Sequence, residues 1–288
     1  DLKDIIRFHC IYWPIFLMAA GIELPKQVIV HSHWLCDGFK MSKSLGNVVD
    51  PMEISEYYGV DPVRFFLVEN SNIDDDCKFS EELLQRSRDA VLGKYCNLIS
   101  RIGGKNFSIE EAVKSFESGE FNNIREIIET YTINKDSVEG LLSSSSKLTT
   151  DLNDLYNQMD HYFTNFDYIR AIQCWWSVIN QANQIFQSAE PWTYVKLINS
   201  PETPAELKEK YRILNNYFVY LCAETTRISS ILIQPVMPQL SKKILDRLNV
   251  SGRTSEFTTF GADLQYGSGA NSKSHKVPLE KIAPRDIK

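Results

Sequence analysis

Two lysines three residues apart, Lys40 and Lys43, lie in the run Phe39-Lys40-Met41-Ser42-Lys43-Ser44-Leu45-Gly46-Asn47. Serine and glycine tolerate turn geometry, so this run can bend sharply. A bent loop of this kind can close on a polyphosphate, offering two ammonium charges and several N–H donors. In isolation the same spacing also describes a solvated surface turn. Three further pairs carry chemistry. His9 and Trp13 are four apart, as are Asn97 and Arg101, and residues at that spacing share a helix face. Pro191-Trp192 would break a helix and present an indole, whose face can stack on a nucleic-acid base. The plain alternatives are a core histidine, a solvated polar pair and a core tryptophan.

The elements that must position these residues follow from pattern. Asp4 to Ala20 reads as a helix, apolar nearly all round and therefore expected to be buried, with Pro14 restarting it and Gly21 ending it. Val28-Ile29-Val30-His31-Ser32 reads as a short buried parallel strand. Helix, strand and a loop at the strand's carboxyl end form a doubly wound α/β pattern. Cys36-Asp37-Gly38 suggests a hairpin turn leading into the lysine loop. Short helices are expected over Pro51–Tyr58, closed by Gly59, and from Asp61-Pro62, with Asp61 as N-cap. After an acidic loop at 72–76, Ser80 caps a helix running to Ile102, where Gly103-Gly104 stops it. Asn122 to Tyr131 is a weak helix. Ser143 to Ser146 is low in complexity and reads as a loop. One or two helices span 151–189, a linker lies at 201–204, and helices follow over 206–233 and 238–248. Beyond Ser251 the chain is rich in Gly, Ser, Asn and Thr. There Phe257 and Phe260 could tuck back, and Leu279 to Arg285 forms an extended tail returning to the amino-terminal side.

Length and composition set outer bounds. The 288 residues suggest two domains, and 43% apolar with 24% charged residues makes a globular chain with real cores. The net charge of −6 is not that of a strongly basic nucleic-acid binder, although a local basic face remains open to a phosphate backbone. Six cysteines show no C-x-x-C spacing, so no zinc knuckle is encoded, and buried free thiols are expected. No run is long and apolar enough to suggest a membrane span.

Taken together, the strings resemble the methionyl-tRNA synthetase family of class I aminoacyl-tRNA synthetases. The lysine loop, continued as Ser44-Leu45-Gly46-Asn47-Val48-Val49-Asp50-Pro51, is similar to that family's KMSKS signature loop. Lys3 to Pro14 resembles its G-K-D-x-x-x-F-H-x-x-x-W-P segment, Asp61 to Leu67 its D-x-x-R-F-F-L pattern, and Asn97 to Arg101 its Asn-Leu-x-x-Arg string. Pro191-Trp192 resembles its P-W pair. The resemblance implies an α/β plus all-α fold. Residues 1–76 would be the second half of a Rossmann-like nucleotide-binding domain, 77–250 a helical-bundle anticodon-binding domain, and 251–288 an extended tail. It implies ATP-driven activation of L-methionine and transfer to a methionine-accepting tRNA, with Mg2+ accompanying the nucleotide.

By the same resemblance, Lys43 would contact the β/γ-phosphates with Lys40 in support, both being catalytic. Lys3, Asp4, His31 and Trp34 would lie on the ATP side. Ile5, His9 and Trp13 would hold methionine, while Asn97, Arg101, Pro191 and Trp192 would read the anticodon. No protein metal-ligand set is implied. The expected protein is a monomer of the mitochondrial matrix, with the cytoplasm as the alternative compartment. Leu2 and Ser32 stand where the family has glycine, on the nucleotide side. The family's first signature, H-I-G-H, is missing and the first residue is Asp, so the chain reads as a fragment not competent alone. A non-catalytic tRNA-binding module, favoured by Leu2 and Ser32, is one alternative. Another class I synthetase for an aliphatic amino acid is the second, and His9, Trp13 and Trp192 argue against it.

Overall fold

The computed structural model describes residues 5–272 and 276–285, so Leu2, Lys3 and Asp4 lie outside the described residues. The first helix opens with a π-turn over Phe8–Tyr12 and continues as α1 (Trp13–Ala19), with Pro14 in its first turn. Proline has no N–H with which to continue the helical ladder, and the π-turn just before it, where the Trp13 N–H bonds back to the Phe8 carbonyl, interrupts the regular α pattern at that point. Gly21 ends it at φ +69, and the Ile22 N–H reaches back to the Leu17 carbonyl at 2.9 Å. The expected burial does not hold. Phe8 is 58% exposed, Phe16 68% and Met18 67%, and no residue of this helix is buried. An apolar circumference shows what a helix can bury against, but among the described residues α1 packs chiefly on its own π-turn.

The strand expected at 28–32 is also displaced. Val28 to Val30 joins no ladder, and only a single bridge forms there, with the Ser32 N–H on the Ile73 carbonyl at 3.2 Å. A β-branched run becomes a strand only where a neighbour offers a matching edge. Pairing begins instead with β1 (Trp34–Cys36), antiparallel to β2 (Phe39–Lys40) and parallel to β3 (Cys77–Phe79), in the order β2-β1-β3. The β1–β2 hairpin turns on Asp37 (φ +52) and Gly38 (φ +81). Two successive positive φ values suit the right-handed twist of a hairpin, and Asp-Gly is a favoured pair for them.

Helix α2 (Pro51–Tyr58) is capped by the Asp50 carboxylate, which accepts from the Met52 N–H at 2.8 Å. Helix α3 (Val60–Glu69) begins one residue before Asp61, which is therefore not its N-cap. The Asp61 carboxylate crosses to α12 (Pro238–Arg247) and accepts the Leu240 N–H at 2.5 Å, satisfying an orphan donor at that helix's start. Arg64 adds bonds to the carbonyls of Pro235 (2.7 Å) and Val236 (3.0 Å), so α3 is fastened to the end of the bundle. Consecutive aromatics on α3 face two cores. Phe66 packs with Trp34 and Phe79 in the cluster under the sheet, while Phe65 packs on Trp175 and Trp176 of the bundle.

Ser80 caps α4 (Glu81–Ala90), which passes through a π-turn at Val91–Tyr95 into α5 (Cys96–Ile102) and ends at Gly103. Two short helices follow, α6 (Ile109–Glu117) and α7 (Ile124–Tyr131). The serine run at 143–146 is not a loop. It lies within α8 (Val138–Thr164), whose buried stripe is Leu141, Ser145, Leu148, Leu152, Leu155 and Met159. Packing of that stripe overrides the weak helix preference of serine. Then come α9 (Tyr168–Ala189), α10 (Pro191–Asn199) and α11 (Ala205–Leu232), with α11 in the centre against α5, α6, α9, α10 and α12. Among the cysteines, Cys77, Cys96 and Cys222 are buried as expected, whereas Cys10 is exposed and Cys36 and Cys174 are half-buried.

The closing segment is tied down at both ends. Phe260 packs on Phe116 and Tyr220. Glu224 and Arg227 of α11, both fully buried, hold it from beneath. Arg227 donates to the carbonyls of Phe257 and Thr259, while Glu224 accepts from the Gly261 N–H (2.7 Å) and the Tyr266 hydroxyl (2.8 Å). The tail then reaches the sheet side: Arg285 pairs with Glu81 and Glu53, and the Tyr57 hydroxyl donates to the Ala283 carbonyl at 2.8 Å. Burial alone would raise Glu81, but bonds from Arg285 and Tyr58 outweigh it and hold the carboxyl below its ordinary value. A depressed carboxylate contributes its full stability above the unfolded value and loses it as pH falls through the folded one. Hydrogen exchange at 279–285, corrected for intrinsic rate, should therefore accelerate below about pH 4 while α11 stays protected. Equal protection at acid and neutral pH would rule this anchor out. No helix among the described residues is long and apolar enough to cross a membrane.

Candidate functional site

The lysine loop is pinned at its base and open at its crown. A tight turn covers 43–46, with Leu45 N–H on the Ser42 carbonyl (3.1 Å), Gly46 N–H on the Lys43 carbonyl (3.2 Å), and Gly46 at φ +67. The Asn47 side chain closes the base, accepting from the Ser42 N–H at 2.8 Å and donating to the Lys40 carbonyl at 3.2 Å. The Ser42 and Ser44 hydroxyls bond each other at 2.7 Å. The Lys43 side chain is exposed at the crown and makes no hydrogen bond or ion pair among the described residues. Lys40 leaves from the end of β2. Sequence reasoning assigned no role to Asn47. Its signal was an amide that can bond local backbone just after a glycine.

His31 and Trp34 line one cavity of about 330 Å³ together with Asn72, Cys77, Phe166 and Tyr168. His31 Nδ1 bonds the Ser32 carbonyl at 2.8 Å, and the His33 N–H donates to Asp76 at 3.0 Å. The outer wall is the α8–α9 turn, where Phe166 holds φ +59, a region that non-glycine residues rarely occupy. Ser32 is 2% exposed and its hydroxyl donates to the Asp74 carbonyl, fastening the floor.

On the first helix, the His9 and Trp13 rings meet edge to face at 6.2 Å. Both face solvent, and Ile5 is 36% exposed, so these three do not enclose a pocket among the described residues. Lys3 and Asp4 lie outside the described residues.

The bundle face is assembled more fully. Asn97 donates to Asn183 Oδ1 at 3.1 Å, and Arg101 donates to the Asn183 carbonyl at 3.3 Å and to Gln187 Oε1 at 2.7 Å. The Arg101 guanidinium lies 5.6 Å from the Phe186 ring centre, and Phe186 lies 6.2 Å from Trp192. Glu190 turns the chain at φ +48, so buried Pro191 starts α10 and half-buried Trp192 emerges beside Phe186. Asn97, Arg101 and Trp192 therefore share one surface, floored by α9, whereas Pro191 is buried and serves to start α10 rather than to line that surface. Asn183, Phe186 and Gln187 escaped the sequence reading. Their signal was an Asn/Gln pair four apart on a mostly apolar helix, matching the spacing of Asn97 and Arg101.

The donors on the lysine loop are amines, hydroxyls and an amide, which suit phosphate oxygens rather than a cation. Among the described residues no group of three or more His, Cys, Asp or Glu could hold a metal ion.

A model for class I tRNA synthetases of the M type matches residues 2–103. A mitochondrial methionine–tRNA ligase of Candida albicans is 98% identical over 286 residues, covering 99% of this chain and 50% of that protein. The mitochondrial methionine–tRNA ligase of Saccharomyces cerevisiae is 42% identical over 282 residues, covering 97% and 45%. Among solved structures, methionyl-tRNA synthetase of Mycobacterium tuberculosis bound by methionyl-adenylate superposes with a TM-score of 0.66 at 28% identity, covering 93% and 47%. The chain spans about half the length of the curated relatives it matches. With the class I model on residues 2–103 and 98% identity to a methionine–tRNA ligase over 99% of its length, the chain belongs to the methionyl-tRNA ligase family of class I synthetases.

Proposed function

We propose that this chain supplies the signature loop and the tRNA-reading bundle of a methionine–tRNA ligase. In this reading residues 1–76 belong to the nucleotide-binding domain, 77–250 form the anticodon-binding bundle, and 251–288 are the carboxy-terminal tail. The observation that carries it is the loop at 40–47, with a base closed by Asn47 and an outward Lys43. Adenylate formation builds charge on the phosphates as the methionine carboxylate attacks the α-phosphorus. A preorganised cation beside the departing pyrophosphate lowers that barrier. Lys43 is the group for this task and Lys40 supports it. The fixed base limits the reorganisation needed when the loop closes. Magnesium, when bound to the nucleotide, shares the same negative charge. His31 and Trp34 would receive the adenine end. Lys3 and Asp4 would complete the ATP side, and Ile5, His9 and Trp13 would meet the methionine side chain.

On the bundle, Trp192 offers a stacking face open to any base, and Arg101 and Asn97 add the hydrogen bonds that discriminate. Several relatives are named as mitochondrial, and the mitochondrion is the compartment assigned to this chain. Trp192→Ala in the full-length protein should lower kcat/KM for methionine-accepting tRNA by roughly 5- to 100-fold, the equivalent of one stacked base. ATP–pyrophosphate exchange, which needs no tRNA, should stay at the wild-type rate. Equal loss in both assays would show that Trp192 holds the fold rather than the RNA.

A further inference from the structure

Where α12 meets the tail, Lys243, Arg247, Lys276 and Glu280 line a cavity of about 330 Å³ together with residues 277–279. Three cations thus face one carboxylate. Among the described residues none of the three cations forms an ion pair. The nearest acid on α12, Asp246, is already taken by Lys242 (2.5 Å) and Arg253 (2.6 Å). Arg247 reaches only the Gly103 carbonyl, at 3.3 Å, and its buried Nε has no partner. Burial pulls this guanidinium below its ordinary value, and no carboxylate offsets that. The fold makes room for it: a Cβ on Gly103 would lie 2.2 Å from the Arg247 Nη2. A second guanidinium, Arg88, is 4% exposed beneath the same tail segment. It bonds only the carbonyls of Tyr58 and Glu280, and its buried Nη1 is unpartnered. Buried cations left unpaired are costly unless an anion completes them.

We propose that this cavity binds a phosphate group, and that the group is a phosphodiester of the bound RNA's backbone. Planar guanidinium and flexible ammonium donors suit tetrahedral phosphate oxygens. Glu280 reduces the local excess to two positive charges, which matches a singly charged phosphodiester better than a free polyphosphate. The cavity also sits at the end of α5, two residues beyond Arg101, so one helix serves both this site and the base-reading face. The RNA assignment rests on the function proposed above; the phosphate site itself does not.

The test uses the full-length protein carrying Lys243→Gln and Lys276→Gln, both exposed positions whose loss leaves the core intact. Affinities for methionine-accepting tRNA and for an unrelated tRNA are measured over a range of KCl concentrations, and tripolyphosphate binding is followed by calorimetry. Both RNAs should bind about tenfold more weakly at low salt, and the slope of log K against log salt should fall by about 1. Trp192→Ala, run in parallel, should weaken binding of the methionine-accepting tRNA without changing the salt slope. Weakening by the lysine pair with Trp192→Ala silent would support the phosphate site while removing the base-reading face. Loss of tripolyphosphate binding with unchanged RNA affinity would overturn the RNA assignment, and no change for either ligand would overturn the site.

Discussion

Lys43→Ala in the full-length protein is expected to slow ATP–pyrophosphate exchange by a factor on the order of 10²–10³, with methionine affinity nearly unchanged. The size follows from removing one preorganised charged donor from a developing phosphate charge. Restriction to the chemical step follows from the roles proposed above, in which Ile5, His9 and Trp13 meet methionine and the exposed Lys43 meets the phosphates. Lys43→Arg should recover part of the rate, because charge is kept while the point-like ammonium is lost. The fold should not respond, since the Lys43 ammonium makes no hydrogen bond or ion pair among the described residues and the substitution keeps the backbone carbonyl that Gly46 bonds. Exchange at the wild-type rate in Lys43→Ala would remove this residue from the mechanism.

Glu224→Gln should destabilise the protein by about 3–5 kcal/mol, read from the denaturant midpoint of the bundle's unfolding. Glu224 accepts from Arg227 Nε at 2.7 Å and Nη2 at 2.9 Å, and both side chains are fully buried. Removing its charge leaves a guanidinium uncompensated in the core. It also weakens the bonds that hold Gly261 and Tyr266, so 257–266 should loosen first. The double variant Glu224→Leu/Arg227→Met should be far less destabilised, because neither partner is then left stranded. A double variant as unstable as the single one would mean that packing, rather than charge, sets the cost.

Much of this architecture could be read from local chemistry. Asp37-Gly38, Asp50-Pro51, Ser80 and Gly21 each do where they stand what their residue types favour: turn, cap and stop. What sequence alone misplaced depends on distant partners. Asp61 looked like the cap of its own helix and instead caps α12, 179 residues away. Val28 to Val30 had strand composition but joined no ladder. The serines at 143–146 looked like a loop, yet Leu141, Leu148 and Leu152 around them already spelled one helical face. Phe8, Phe16 and Met18 looked like core and face solvent. In the candidate site, the lysines, Trp192 and the Asn97/Arg101 pair were legible because they sit in short strings. Asn183, Phe186 and Gln187 were not, since they matter only through contacts that α9 makes with α5 and α10.

The measurement that bears most directly on this account is the position of the Lys43 ammonium in the full-length protein with methionine and a nonhydrolysable ATP analogue bound. A crystal structure of that complex should place Lys43 Nζ about 2.7–2.9 Å from a β- or γ-phosphate oxygen, with Asn47 still bonded to Ser42 and Lys40. An ammonium left in solvent, with the triphosphate neutralised by other groups, would contradict it.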